Sequence, residues 1–160
     1  MDGGTCDVGL ESTIIGVTAH GALEVFRKGG LSIDSFKKYT NDIGVRDTST
    51  SNPEAPGMLS SHYAPKIPLK IMDFSQVNTH EPIERIGVIA FRKFLPNVPT
   101  KHQVVLSPSG NYMDAARNLF AGMRYLDNCD LDEIWVELAP EEDLGIAIND
   151  RLRRAAHIGH

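Results

Sequence analysis

Only two cysteines occur in the 160 residues, Cys6 and Cys129. They stand far apart and in no C-x-x-C pair, which argues against a disulfide framework or a cysteine zinc site and leaves two reduced thiols. No apolar run approaches the roughly 18 residues of a membrane helix, and residues 1–4 start no basic-then-apolar leader, so no membrane partner is expected and a cytoplasmic location is. A basic excess is missing too: Lys+Arg number 16 against 21 Asp+Glu, for a net charge of −5. Binding to nucleic acid rests on neutralised phosphates, so direct contact with DNA or RNA is not expected. The densest basic cluster, Arg151, Arg153 and Arg154, falls late in an expected helix, where cations complement the C-terminal dipole without any ligand. The six histidines show no H-x-x-x-H spacing, and no internal repeat is visible.

What is present divides into three textures. Residues 12–17 and 22–27 are rich in β-branched and apolar side chains and flank a turn at 18–21, which predicts a hairpin. Gly29 and Gly30 then break the chain, and Ser32 is placed to cap a short helix with Ile33, Phe36 and Tyr39 on one face. From Thr40 to Pro68 a polar run and Pro53, Pro56, Pro65 and Pro68 predict an extended linker with little regular structure. Beyond it, strands are expected at 69–74, 86–91, 103–106 and 134–138. A helix is expected over 112–127, capped by Asn111, with Ala115, Ala116, Leu119, Phe120, Met123 and Leu126 on its apolar face. A last helix over 144–156 turns Ile148, Leu152, Ala155 and Ala156 inward. Strands alternating with helices predict an α/β, Rossmann-like parallel sheet. The expected organisation is an α/β remnant at 1–40, a linker at 41–68 and a Rossmann-like domain at 69–160.

Three stretches carry a resemblance. Asp2-Gly3-Gly4 followed by Gly9-Leu10-Glu11-Ser12-Thr13-Ile14, then Arg27-Lys28-Gly29-Gly30, then Ala55-Pro56-Gly57-Met58 with His62-Tyr63-Ala64-Pro65, occur in this order. Together they resemble the two-domain threonylcarbamoyl-AMP synthases: the tail of the catalytic domain, the linker motif S-P-G-M-x-x-x-H-Y-A-P and the C-terminal domain. Leu144-Gly145, Asn149-Asp150-Arg151-Leu152 and Ala155-Ala156 are similar to the family's last helix.

The resemblance implies a nucleotidyltransferase reaction in which threonine, bicarbonate and ATP, with magnesium, give threonylcarbamoyl-adenylate and pyrophosphate for the modification of adenosine-37 in certain tRNAs. It implies that Ser12 binds threonine, that Arg27 pairs with the ATP phosphates, and that Tyr63 reaches ATP from the linker. Arginine suits its part, being a planar and permanently charged fork. The family's Lys-x-Arg and Ser-x-Asn motifs of the first catalytic part have no counterpart here. Ser109-Gly110-Asn111 spells the second one only by coincidence, in a loop of the other domain. The chain alone is therefore expected to be inactive. Departures also include Lys28 in place of a proline, and Leu59, Ser60 and Ser61 in the linker.

Other readings stay open from the residues themselves. One is a stand-alone regulatory module that holds a small ligand at the C-terminal ends of its parallel strands. Another is a separately encoded subunit that completes an N-terminal half in trans. The acidic residues Asp132, Glu133, Glu137, Glu141, Glu142 and Asp143 read as a solvated rim. An isolated two-stranded hairpin is marginal in water. Residues 1–40 are thus expected to dock on their own α/β domain or, preferentially, to form a homodimer through the hairpin, burying Ile14, Ile15, Val17, Leu23, Val25 and Phe26.

Overall fold

A computed structural model of the chain describes residues 8–46, 64–77 and 83–156. Strands β1 (Ile14–Val17) and β2 (Leu23–Arg27) form the expected antiparallel hairpin. In its turn the Gly21 amide donates to the Thr18 carbonyl, and Gly21 takes φ +82°, a backbone that favours glycine. The ladder is irregular at one point. Ile15 faces Val25 but Ile14 faces Arg27, so Phe26 has no opposite number and β2 bulges there.

A third strand, β3 (Ile43–Val45), pairs parallel with β2. The chain beyond Thr40 was expected to be extended with little regular structure, and this three-residue strand lies within it. Its short β-branched segment gains a ladder on the open edge of β2. At its end Arg46 forms a two-pronged bond to Glu24 and lies over the Phe26 ring, 5.3 Å from its centroid. The Ser32 cap forms as expected, accepting from the Asp34 amide, but only a 3-10 turn over Ile33–Phe36 follows. Tyr39, expected on an apolar face, is exposed.

The second sheet is wholly parallel and has four strands in the order β4 (Leu69–Ile71), β7 (Glu133–Val136), β5 (Ile86–Ala90), β6 (Gln103–Val105). Each strand is shorter than its apolar run. After β4, for example, Asp73 caps a 3-10 turn by accepting from the Ser75 amide and turns the chain off the sheet. Helices α1 (Tyr112–Asp127) and α2 (Gly145–Ala156) lie against one face. Asn111 caps α1 as its position predicts, accepting from the amides of Met113 and Asp114.

Alternation along the strands sorts the core. Ile89, Ile134 and Val136 meet Leu119, Leu126, Ile148 and Leu152 under the helices. Val88 and Ala90 point the other way, towards Leu95, Val98 and Trp135. Side chains of this size contribute roughly 1.5–3 kcal/mol each when fully buried. Among the described residues no helix is long and apolar enough to cross a membrane.

The segment leading into the hairpin docks on its own α/β domain. Leu10 is buried in the core beneath the helices, with Val8 packed against it. Gly9, at φ +68°, lies so close to α1 that an added Cβ would come within 2.4 Å of the Arg117 Cα. Of the hairpin side chains expected to be covered, Val25 is buried while Ile15 and Val17 remain exposed. The arginine cluster of α2 falls late in the helix as expected. Arg151 is fully buried and Arg154 nearly so, each in an ion pair that the helix-dipole reading did not include.

Candidate functional site

Local folding brings Ser12 and Arg27 together. The bulge at Phe26 offsets the end of β2, and Arg27 there faces the chain entering β1. Arg27 Nε donates to the Ser12 carbonyl at 3.0 Å, and Nη2 donates to Ser12 Oγ at 2.9 Å. A hydroxyl and a guanidinium so placed offer one short polar group and one cationic fork on the same patch. The neighbouring turn is held by Thr13, whose Oγ1 donates to the Leu31 carbonyl and accepts from the Leu31 amide.

Gly29 makes this approach possible. The Gly30 amide donates to the Glu11 carbonyl, and a Cβ on Gly29 would fall 2.3–2.4 Å from backbone atoms of residues 11, 12 and 13. Any side chain at 29 would push the segment carrying Ser12 away.

Behind Ser12 lies a buried polar anchor. Arg151 Nε and Nη2 donate to Glu11 Oε2 at 3.1 and 3.0 Å, Nη2 also donates to the Lys28 carbonyl, and Nη1 donates to Asp150. A fully buried guanidinium is tolerable only with its charge paired and its N–H groups bonded, and these contacts supply both. Arg151 thus ties α2 to Glu11 and Lys28, the residues next to Ser12 and Arg27. The cluster reads as complementing the helix dipole, yet the spacing of Arg151 holds a further signal. Ile148, Arg151, Leu152 and Ala155 follow the i, i+3, i+4, i+7 pattern of an inward helix face.

The acidic stretch is a rim tied to cations and donors rather than one centre. Asp130 and Asp132 sit on Arg85, which holds both carboxyls below their ordinary value. Burial pushes Glu141 up, but hydrogen bonds from Arg153 and Asn149 outweigh it and leave the carboxyl lowered. Among the described residues no three His, Cys, Asp or Glu gather as a metal site. Ser109 donates to or accepts from Ser107 and accepts from the Asn111 amide, so that Ser-x-Asn string shapes a helix entry. Tyr63, with His62, Asp2 to Gly4 and Ala55 to Met58, lies outside the described residues.

Residues 22–157 match the family model described as threonylcarbamoyl-AMP synthase, C-terminal domain. The chain belongs to that family. The threonylcarbamoyl-AMP synthase of Pyrococcus abyssi is 28% identical over 172 residues, covering 98% of this chain and 48% of the relative. That of Schizosaccharomyces pombe is 26% identical, covering 99% of this chain and 45% of the relative. That of Bacillus subtilis is 28% identical, covering 98% and 48%. The crystal structure of P. abyssi Sua5 complexed with L-threonine is similar at a TM-score of 0.78 and 25% identity, over 99% of this chain and 49% of that one. The chain thus spans about half the length of the threonylcarbamoyl-AMP synthases it matches.

Proposed function

We propose that the chain is the C-terminal part of an L-threonylcarbamoyladenylate synthase and that Ser12 and Arg27 belong to its substrate site. In the proposed reaction threonine and bicarbonate give a carbamate and water. A carbamate oxygen then attacks the α-phosphorus of ATP and displaces pyrophosphate. Ser12 hydrogen-bonds the threonine, Arg27 pairs with the phosphates, and Tyr63 reaches the ATP from the linker, with magnesium on the triphosphate. Positioning and charge neutralisation are what such a transfer needs from a protein. The adenylate serves the modification of adenosine-37 in tRNA by later steps, and this chain makes no direct contact with nucleic acid. The domain organisation proposed is a catalytic-domain tail at 1–40, a linker at 41–68 and a Rossmann-like domain at 69–160, in a cytoplasmic enzyme.

The observation that carries the reading is the Arg27–Ser12 pair, set within a chain of this family. The test joins residues 1–160 to the N-terminal half of the B. subtilis relative and follows threonine-dependent pyrophosphate release. Arg27→Ala should lower kcat/KM for ATP by about 1.5–3 kcal/mol, the cost of a lost charge-assisted bond. Tyr63→Phe should act more mildly, since the ring remains. The purified chain alone should release no pyrophosphate above a blank. Unchanged kinetics in both variants would remove these residues from the site.

A further inference from the structure

The parallel sheet opens a second concavity, remote in sequence from Ser12. After β4 the chain turns to the Val88–Ala90 face, where Phe74 and Val77 pack. After β5 it turns to the same face, with Leu95 and Val98. After β7, which lies between those two strands, it runs to α2 on the opposite face, where Ile148 and Leu152 are buried. Neighbouring exits therefore diverge, and diverging exits open a crevice at the carboxyl ends of parallel strands. A cavity of about 710 Å³ lies there, lined by the chain after each of these strands at Phe74, 91–96 and 137–140. That volume suits a ligand of small-molecule size.

Its walls are fixed in advance. Buried Gln103 donates to the carbonyls of Leu95 and Val98 and accepts from the Leu95 amide. Buried Asn149 donates to the Ala139 carbonyl and accepts from its amide. The segments at 91–96 and 137–140 are thus each pinned by a satisfied amide side chain, so little ordering of these two remains to oppose binding.

The lining has three chemistries. Phe94 lines the cavity and is 56% exposed, leaving much of its aromatic surface open. Glu137 Oε2 accepts from the Phe91 amide at 2.8 Å, while Oε1 accepts nothing from the described residues. Arg92 and Lys93 supply two adjacent exposed cations, and Arg92 lies against Gly110, where a Cβ would come 3.1 Å from its Nε. An aromatic surface, an open carboxylate oxygen and paired cations fit a planar base, a hydroxylated sugar and a phosphate in turn. The segment after β4, Met72-Asp73-Phe74-Ser75-Gln76, has no glycine-rich turn for a pyrophosphate. The phosphate must then meet side chains, which favours one phosphate over a dinucleotide.

We propose that the crevice at the carboxyl ends of β5 and β7 is a mononucleotide site, with the base on Phe94, a sugar hydroxyl donating to Glu137 and the phosphate on Arg92 and Lys93. The site is independent of the Ser12–Arg27 reading. The test titrates the full chain with AMP and follows backbone amide NMR shifts, with adenosine and inorganic phosphate as separate probes. Saturable shifts should centre on Phe91, Phe94 and Glu137, with adenosine and phosphate each weaker. Arg92→Ala combined with Lys93→Ala, both at exposed positions, should raise the AMP dissociation constant at least about tenfold. Glu137→Gln keeps an acceptor for the Phe91 amide and should weaken AMP more than phosphate. Arg27→Ala should leave all of this unchanged. The proposal is overturned by any of three results: no saturable shift at these amides, AMP affinity indifferent to the crevice variants, or phosphate binding as tightly as AMP.

Discussion

Arg151 and Glu11, 140 positions apart, meet in a bond in which two guanidinium nitrogens converge on one carboxylate oxygen at 3.1 and 3.0 Å. The arginine is fully buried and the Glu11 side chain is 30% exposed. The contact fastens the last helix to the segment that carries Ser12, so the placement of the candidate site depends on the distant C-terminal helix.

Removing that fastening should unfold the chain more easily. Breaking a buried pair costs roughly 3–5 kcal/mol, and the partial exposure of Glu11 sets the expectation for Arg151→Ala at the low end, about 3 kcal/mol. Arg151→Lys should recover little, since an ammonium cannot reach Glu11, Asp150 and the Lys28 carbonyl in the same plane. Urea unfolding of Arg151→Ala, Glu11→Gln and the double variant measures the coupling. A coupling below about 0.5 kcal/mol would show that the two residues act separately.

Gly29 is expected to be intolerant for a different reason. Its Cβ would lie 2.4 Å from the Ser12 carbonyl carbon and the Thr13 nitrogen, and backbone cannot rotate aside as a side chain can. Gly29→Ala should cost at least about 2 kcal/mol, within the range of overpacked sites, and should shift the amide resonances of Ser12 and Thr13. Gly44→Ala is the control. There the nearest atom, the Leu23 carbonyl oxygen, is 3.8 Å from the new carbon, an ordinary contact, and stability should hardly change. Equal effects at both positions would defeat the argument from close approach.

Tyr112 should ionise late. Burial first, and then the hydrogen bond its hydroxyl donates to Glu142, push its pKa up from 10.0 to about 12. A raised folded-state value means that the stabilisation is complete below the unfolded pKa and is lost as pH rises through the folded one. Stability should therefore fall between about pH 10 and 12, and Tyr112→Phe should flatten that fall. Ultraviolet absorbance of tyrosinate, compared between the chain and the variant, identifies the late step. If the variant loses an early-titrating tyrosine instead, the assignment to Tyr112 fails.

Several features were legible in the amino-acid string because they depend on neighbours in sequence. Asn111 caps α1 through amides two and three residues on. The apolar face of α1 follows from helical spacing, and Ala115, Ala116, Leu119, Met123 and Leu126 are buried where that spacing puts them. The hairpin at 14–27 and the alternation of strand and helix are equally local. Family motifs around Ser12 and Arg27 marked both residues, and short-range folding through one hairpin brings them into contact.

Tertiary structure decided what joins distant segments. β3 is a strand because β2 offers it an edge, and three residues from a run read as linker could not announce that partner. Arg151 read as a cation serving the helix dipole because charge alone says nothing about whether a carboxylate 140 positions away will neutralise it. The order of the parallel sheet, with β7 inserted between β4 and β5, is likewise absent from the order of the strands along the chain. That insertion sends neighbouring exits to opposite faces and opens the crevice. A sequence fixes which side chains seek burial or a partner; which partner each one finds is settled only when the sheet and helices close around it.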